Sequence, residues 1–297
     1  MLSTTRRTLV CLSLVLSACG GGNGGATSAE GSEGSAPVAT RTTPAEPEGE
    51  AALPPPTVDP EPAPNAAMPA PTSFDVTAWA GLLSTYATED GGFRYAALLA
   101  NAGDQATLRQ VVEAVANASP VAYPERSAQL AFYINAYNIL TVSAVVERFP
   151  IDSVMSVPGF FDTITHTVAG NPRTLNALEN DIIRAQFSEP RIHFAVNCAS
   201  LGCPWLDRTP FTAENLDASL TRLTRQFVGQ STSVDSRRRR VVVSQIFEWF
   251  AGDFQAAGGV RAFLVAHTEH EATRAQVADE RMRIAYTPYD SALNAPP

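Results

Sequence analysis

The feature that most limits how this chain can fold is a sharp change in composition near residue 73. Residues 20–72 hold 11 of the 22 prolines, 8 of the 19 glycines, seven acidic residues and no aromatic residue. Such a segment buries too little apolar surface to offset the entropy lost on ordering, so it is expected to be disordered. Residues 73–297 carry aromatic residues and periodic apolar patterns, and their length suits a single domain with a substantial core.

The first 18 residues have the pattern of an export signal. Two arginines precede a short apolar run, residues 9–16, which is too short to cross a bilayer as a helix. The run ends in Leu-Ser-Ala-Cys, which resembles the lipobox of bacterial lipoproteins. The resemblance implies cleavage before Cys19 and lipidation of that cysteine. An ordinary signal peptide with an incidental cysteine is the alternative.

These features predict an exported lipoprotein of the cell envelope. Residues 19–72 would form an acidic tether between the lipid on Cys19 and the folded domain, so a membrane is an expected partner. Gly20 is not the aspartate associated with inner-membrane retention, which favours the outer membrane, facing the periplasm or the surface. The tether holds six of the nine net negative charges, and export disfavours nucleic-acid binding. All 21 basic residues are arginine, which excludes a lysine base or Schiff base.

Periodicity in the folded segment predicts an α+β domain that is rich in helix and has a small β-sheet. Residues 125–149 are apolar almost all round and predict a central buried helix. Predicted strands cover residues 164–169 and 191–197, and a hairpin covers 234–243. Further helices are predicted over residues 74–86, after Asp104, after Thr174, over 212–228, after Ser244 and over 259–267. There is no repeat and no phosphate-binding glycine loop, so no cofactor is expected.

The segment "HFAVNCASLGCPWL", residues 193–206, concentrates the reactive side chains of the domain. It holds His193, Cys198 and Cys203, and no other thiol is expected in the mature protein once Cys19 is lipidated. In an oxidising compartment a Cys198–Cys203 disulfide is the leading interpretation, and catalytic or redox use is the alternative. A metal site is disfavoured because no second ligand cluster accompanies the two cysteines.

Several motifs resemble successive blocks of the family called domain of unknown function 547. They are "AFYINAYNILTV", "TLNALENDIIR", "PRIHFAVNCASLGCPWL", "VSQIFEWFAGDF" and "YDSALN", and they occur in the family's order. The resemblance implies no known reaction. Asn180 stands where the family often has histidine, and Ser291 where it usually has tryptophan. Positions shared with the family pattern are Asn135, Asn138, Glu179, Arg184, His193, Cys198, Ser200, Cys203 and Pro204.

A thiol enzyme needs a base beside its nucleophile. In the predicted strand 191–197, alternation would place His193 and Cys198 on opposite sides, which weakens this pairing. His166, on the other predicted strand, is an alternative base, although hydrogen bonds to backbone would equally explain either histidine. Glu179 would orient His193 or carry a raised pKa if it is buried, and otherwise it faces solvent or pairs with Arg184 or Arg191.

Two amides interrupt the apolar central helix. Asn135 and Asn138 lie three residues apart and therefore on one face. Buried amides are costly unless they are hydrogen-bonded, so we expect them to hold the cysteine loop, with a pocket lining as the alternative.

Two functions are compatible with these residues. One is a thiol-dependent hydrolase or transferase acting on peptide or amide bonds, in which Cys198 or Cys203 attacks, His193 or His166 is the base, and Glu179 orients it. Asn135, Asn138, Arg184, Arg191 and Ser200 would support that site. The other is a non-enzymatic module that binds an envelope peptide or protein and in which Cys198–Cys203 is a structural disulfide.

Overall fold

The computed structural model describes residues 73–296, and for Pro120 only the backbone. The predicted signal peptide, tether and lipidation site at Cys19 lie outside the described residues. Within residues 73–296 the predicted helix-rich α+β class is confirmed, with small sheets beside a larger number of helices.

The predicted helices occur in the predicted order, with somewhat different bounds, and the helices Tyr95–Leu99 and Glu271–Ala278 were not predicted. They are α1 (Thr77–Tyr86), α2 (Tyr95–Leu99), α3 (Ala102–Asn117), α4 (Arg126–Val146), α5 (Leu175–Ala177), α6 (Ala185–Phe187), α7 (Leu216–Ser231), α8 (Ile246–Trp249), α9 (Gly259–His267) and α10 (Glu271–Ala278). A π-helix, Leu178–Arg184, joins α5 to α6. Short 3₁₀-helices lie at Pro120–Ala122, Val154–Ser156, Pro190–Phe194 and Gln255–Ala257.

The central helix α4 is the core of the domain, as its all-round apolar sequence predicted. Most of its residues are buried, including the polar side chains of Asn135, Asn138 and Thr141. By length and composition alone α4 could cross a membrane, but 78% of its most apolar window is buried inside the domain. That burial is expected of a core helix.

The strands form two small sheets. Strands β1 (Thr165–Val168) and β2 (Asn171–Thr174) make an antiparallel hairpin. Strands β3 (Ser233–Asp235) and β4 (Arg240–Ser244) make the second hairpin, in the region predicted for it. Strand β5 (Arg283–Thr287) then pairs in parallel with β4, which completes the order β3-β4-β5.

Three local predictions were wrong. Residues 191–197 are not a strand: Pro190–Phe194 is a 3₁₀-helix that begins after Glu189, whose carboxylate accepts the backbone N–H of Arg191. The N-cap of α3 is Asn101 rather than Asp104. The helix expected after Ser244 lasts only one turn, α8, before the chain turns back towards Asp253.

Candidate functional site

A π-helix places two charged side chains on one side of the chain. Thr174 caps the start of α5 by accepting the backbone N–H of Ala177 at 3.0 Å. The helix then widens to the i→i+5 pattern over Leu178–Arg184. Since Glu179 and Arg184 are five residues apart, one π-turn brings them to the same face. Single π-turns occur frequently at functional sites, because they re-aim a side chain without ending the helix.

Asp253 links Arg184 to His193. Arg184 donates from Nε to Asp253 Oδ2 at 2.7 Å and from Nη2 to Oδ1 at 2.8 Å. His193 Nε2 lies 2.7 Å from the same Oδ2. Burial alone would raise the pKa of Asp253, but hydrogen bonds from His193 and Arg184 and their positive charges hold it well below its usual range. The carboxylate therefore stays ionised and fixes both partners.

Aromatic side chains pack against this network. The Phe250 ring stacks on His193 with 3.9 Å between ring centroids, and the Arg184 guanidinium lies 4.8 Å from the centre of the same ring. Phe194 and Phe254, the neighbours of His193 and Asp253 in sequence, are fully buried with their ring centroids 6.3 Å apart. Aromatic pairs of this kind add about 0.5–1.5 kcal/mol beyond the area they bury. The backbone on both sides of the His193–Asp253 contact is therefore anchored.

The pKa of Glu179 is shifted in the opposite direction to that of Asp253. Burial raises its pKa, and the nearby Asp253 raises it further. The charges of His193 and Arg184 and hydrogen bonding with Tyr137 lower it, but burial prevails. Burial, together with the interaction with Glu179, raises the pKa of Tyr137 well above its usual value. A carboxyl with a raised pKa thus lies beside a carboxylate, Asp253, whose pKa is lowered.

The cysteine loop is closed by the disulfide that the leading interpretation predicted. Cys198 and Cys203 are joined with an S–S distance of 2.01 Å, so neither sulfur is a thiol in this structure. A thiol nucleophile would therefore require prior reduction of the bond.

Asn138 holds the chain directly before the disulfide. Its Nδ2 donates to Ala195 O at 2.9 Å, and its Oδ1 accepts the backbone N–H of Asn197 at 2.8 Å. Asn135 makes the same pair of contacts with Phe211, at 2.7 and 3.0 Å. The expectation that these amides brace the cysteine loop agrees with the contacts of Asn138, whereas Asn135 braces the segment before α7.

Tyr289 connects the disulfide to the exposed surface. Its hydroxyl lies 2.8 Å from Cys198 Sγ, and burial raises its pKa to about 12. Hydrogen bonding with Ser200 acts in the opposite direction and lowers that pKa, which places the buried Ser200 beside the same phenol. The Tyr289 ring packs against Trp249 with 5.0 Å between centroids. Trp249 is 41% exposed and Leu201, between the two cysteines, is 59% exposed.

Comparison with protein families gives one match. Residues 122–228 match the family model described as "Protein of unknown function, DUF547". The match covers 107 of the 297 residues, so residues 122–228 are similar to the DUF547 family. No curated protein and no solved structure matches the chain.

The DUF547 match covers most of the predicted site residues but not all of the network. Asn138, Glu179, His193 and both cysteines fall inside residues 122–228. Asp253, Trp249 and Tyr289 lie beyond the match, and sequence reasoning did not single them out. The block "VSQIFEWFAGDF" was the one signal for Asp253, because it combines an acidic residue with aromatic residues that need burial.

Two predicted residues lie outside this arrangement. His166 is on β1, opposite Arg173 of β2, and its charged neighbours are Glu147 and Arg148. Its Nε2 is buried, with no hydrogen-bond partner among the described residues. His166 is thus not positioned to act as a base beside His193, Asp253 and Arg184.

Arg191, the other such residue, belongs to a separate surface cluster. It pairs with Glu189 at 2.7 Å and with Asp217 at 2.9 Å, and it also donates to the Thr221 hydroxyl at 2.8 Å. These contacts attach the 3₁₀-helix Pro190–Phe194 to α7 and account for Arg191 as a structural residue.

Asn180 has a partner within the network. Its Oδ1 accepts a hydrogen bond from Arg184 Nη1, and its Nδ2 donates to Asn176 O at 2.9 Å. The residue that replaces the family's frequent histidine therefore helps to hold Arg184 in place.

Two depressions of the domain are lined by residues outside this network. One depression of about 890 Å³ is lined by residues that include Glu89, Arg94 and Arg208. Another of about 430 Å³ is lined by residues that include Asp217 and Arg222. Among residues 73–296 no group of three or more histidine, cysteine, aspartate or glutamate side chains is arranged to hold a metal ion.

Proposed function

We propose that this protein is a lipid-anchored envelope enzyme that hydrolyses or transfers peptide or amide bonds by acid–base catalysis at Glu179. The supporting observation is the raised pKa of the Glu179 carboxyl beside the hydrogen-bonded His193–Asp253–Arg184 network. Carboxyl groups with pKa values that are pushed apart are typical of acid–base pairs in active sites.

The exposure of the two candidate groups favours Glu179 as the residue that meets substrate. His193 is only 3% exposed, whereas Glu179 keeps part of its surface exposed. The roles predicted from sequence are therefore reversed in this proposal: His193, held by Asp253, positions and tunes Glu179. A raised pKa keeps the carboxyl protonated to higher pH, which suits donation of a proton to a leaving amine.

Because the two cysteines are joined in a disulfide, the attacking group in this proposal is a water molecule or a substrate amine. The thiol-dependent version applies only to the reduced protein, because a disulfide sulfur is not a thiolate nucleophile. A comparison of oxidised and reduced protein in one assay separates the two versions.

The test follows ¹⁸O incorporation. The purified protein is incubated in H₂¹⁸O with a panel of synthetic peptides and N-acyl amides, and products are analysed by mass spectrometry. General acid–base groups typically contribute about 10²- to 10⁴-fold, so Glu179→Gln should lower product formation by at least about 100-fold. Glu113→Gln, on the exposed face of α3, is the matched control and should match wild type. Equal rates for Glu179→Gln and wild type would refute the acid–base role.

A second candidate function is a binding module for an envelope peptide or protein. The exposed apolar side chains of Leu201 and Trp249, next to the disulfide, favour it. Leu201 lies between the two cysteines and Trp249 packs on Tyr289, which contacts Cys198, so both exposed side chains are available to a partner at this loop. Absence of any ¹⁸O product, together with saturable binding of an apolar peptide that Trp249→Ala abolishes, would support the module instead of the enzyme.

The proposed envelope location rests on the sequence around Cys19. Mass spectrometry of the N-terminal peptide from membranes should find an acylated Cys19, and Cys19→Ser should abolish both the modification and membrane retention. Separation of inner and outer membranes then tests the proposed outer-membrane location. Recovery of an unmodified Cys19 within a soluble protein would contradict the lipid anchor.

A further inference from the structure

We propose that the Cys198–Cys203 disulfide is redox-active and exchanges with dithiols of partner polypeptides that bear apolar residues. This activity is independent of the acid–base function proposed for Glu179.

The two cysteines differ in exposure and in the hydrogen bonds to their sulfurs. Cys203 is 6% exposed, whereas Cys198 is partly exposed. The backbone N–H of Cys198 donates to Cys203 Sγ at 2.9 Å. Tyr289 Oη lies 2.8 Å from Cys198 Sγ, and the phenol is the donor because a disulfide sulfur carries no hydrogen. Each sulfur therefore already faces a hydrogen-bond donor that would stabilise it as a thiolate leaving group.

The loop between the cysteines is held without the disulfide. Backbone hydrogen bonds join Leu201 N to Ala292 O and Gly202 N to Asp290 O, each at 2.8 Å. Gly202 approaches so closely that an added Cβ would lie 2.9 Å from the backbone N and O of Asp290. In the chain-entropy model, closing about six residues contributes a stabilisation at the low end of the range for disulfides. Opening the bond therefore need not unfold the loop, which distinguishes it from a disulfide needed for folding.

Two exposed apolar side chains lie near Cys198, the more exposed of the two cysteines. Leu201 extends from the loop itself, and Trp249 packs on the Tyr289 ring whose hydroxyl contacts Cys198. A small thiol gains nothing from such a surface. A polypeptide with apolar side chains beside its cysteines would bury these residues as its thiolate reaches Cys198, so the surface favours that class of reductant.

The exchange balances in two steps. A partner thiolate attacks Cys198 Sγ, a new S–S bond forms, and the Cys198–Cys203 bond breaks with Cys203 leaving as a thiolate. The partner's second thiolate then attacks its own sulfur in the mixed disulfide, and Cys198 leaves as a thiolate beside Tyr289. Two electrons pass from the partner dithiol to the cysteine pair. The partner's two thiol protons end on Cys198 and Cys203.

The first test measures whether the folded protein can be reduced. The mature chain, residues 19–297 with Cys19→Ser, is equilibrated with mixtures of reduced and oxidised glutathione, and its thiols are counted by alkylation and mass spectrometry. Reduction should proceed while circular dichroism stays native. Structural disulfides resist the glutathione pool. A bond that stays closed until the protein unfolds would overturn the proposal and leave a structural bridge.

The second test identifies the attacked sulfur. With oxidised glutathione, Cys203→Ala should form a mixed disulfide at Cys198 at least about tenfold faster than Cys198→Ala forms one at Cys203, because access limits the exchange. Both variants lack the bridge, so they are matched for the loss of the cross-link. Equal rates would refute the asymmetry.

The third test keeps the bridge intact and so does not depend on cysteine variants that fold. Tyr289→Phe should slow reduction by about three- to tenfold, the effect of one hydrogen bond. Leu201→Ser should slow reduction by a synthetic dithiol peptide with apolar residues beside its cysteines, but not reduction by glutathione. Val121→Ser, at an exposed apolar residue of the 3₁₀-helix Pro120–Ala122, is the control and should change neither rate. Equal slowing with both reductants would refute the role of the apolar surface.

Discussion

Asp253 offers the sharpest test of the network, because one side chain fixes both Arg184 and His193. Asp253→Asn keeps the side-chain volume and removes the charge. One carboxylate oxygen becomes an NH₂ group, which must face a donor on Arg184 or on His193. Three charge-assisted contacts of 2.7–2.8 Å are weakened or lost together.

The expected loss follows from the burial of these groups. Breaking a fully buried ion pair costs about 3–5 kcal/mol, because a charge is left without its partner. Asp253 and Arg184 keep 27% and 26% of their side-chain surface exposed, so we expect about 2–4 kcal/mol. For a domain of this size that loss lowers Tm by about 4–16 °C.

The matched control is Asp217→Asn. Asp217 also forms an ion pair with an arginine, Arg191, at 2.9 Å, but its side chain is 87% exposed. Arg191 also keeps its pairing with Glu189. We expect a change within about 0.5 kcal/mol. The two variants make the same chemical substitution and differ in burial and in the number of partners.

Urea unfolding, followed by tryptophan fluorescence at several pH values, measures both variants. Because the pKa of Asp253 is lowered in the folded state, its stabilising effect is complete above the ordinary carboxyl range. It is lost as pH falls below about 4. The difference between wild type and Asp253→Asn should therefore shrink from pH 7 towards pH 3. Equal stability of the two aspartate variants at pH 7, or a difference that grows in acid, would refute this reasoning.

Three further variants test other parts of the structure, each by urea unfolding. Glu179→Gln should stabilise the protein at neutral pH and have less effect near pH 4. The reason is that a raised pKa in the folded state makes the ionised carboxylate unfavourable only at a pH above the ordinary carboxyl pKa. No gain in stability at pH 8 would contradict the raised pKa. Asn138→Leu should cost about 2–4 kcal/mol by leaving two buried backbone groups unpaired, and a loss below about 1 kcal/mol would count against that brace. Gly91→Ala should cost at least about 2 kcal/mol, because φ of Gly91 is +83° and the new Cβ would lie 2.1 Å from Trp205. Gly170→Ala is the control for backbone strain alone, because φ of Gly170 is +76° and a Cβ there would meet no atom within 4 Å. It should cost about 1 kcal/mol.

The sequence predicted the parts of the site that depend on local chemistry. Asn138 in an apolar helix required a buried hydrogen-bond partner, and the structure supplies that partner beside the cysteine loop. Two cysteines five residues apart in an expected oxidising compartment predicted the disulfide. Both predictions rest on the cost of burying unpaired polar groups and on the reach of a short loop, and neither depends on distant residues.

The strand predicted for residues 191–197 failed for a physical reason. Alternation is informative where one face of a strand is exposed, but Ile192–Asn197 is buried on all sides. Glu189 instead caps a 3₁₀-helix after which the chain reaches the disulfide. The argument that His193 and Cys198 point to opposite sides therefore rested on a geometry that this segment does not adopt.

By itself, the sequence determined the helix-rich class, the buried central helix, the family resemblance and the position of the reactive loop, because these follow from composition, periodicity and short spacings. Tertiary structure alone decided that Asp253 meets His193 across 60 residues, that a π-turn aligns Glu179 with Arg184, and that β5 pairs with β4. Those contacts depend on how α8 and the chain end pack against the core. Such packing is set by long-range side-chain fit, which no local pattern encodes.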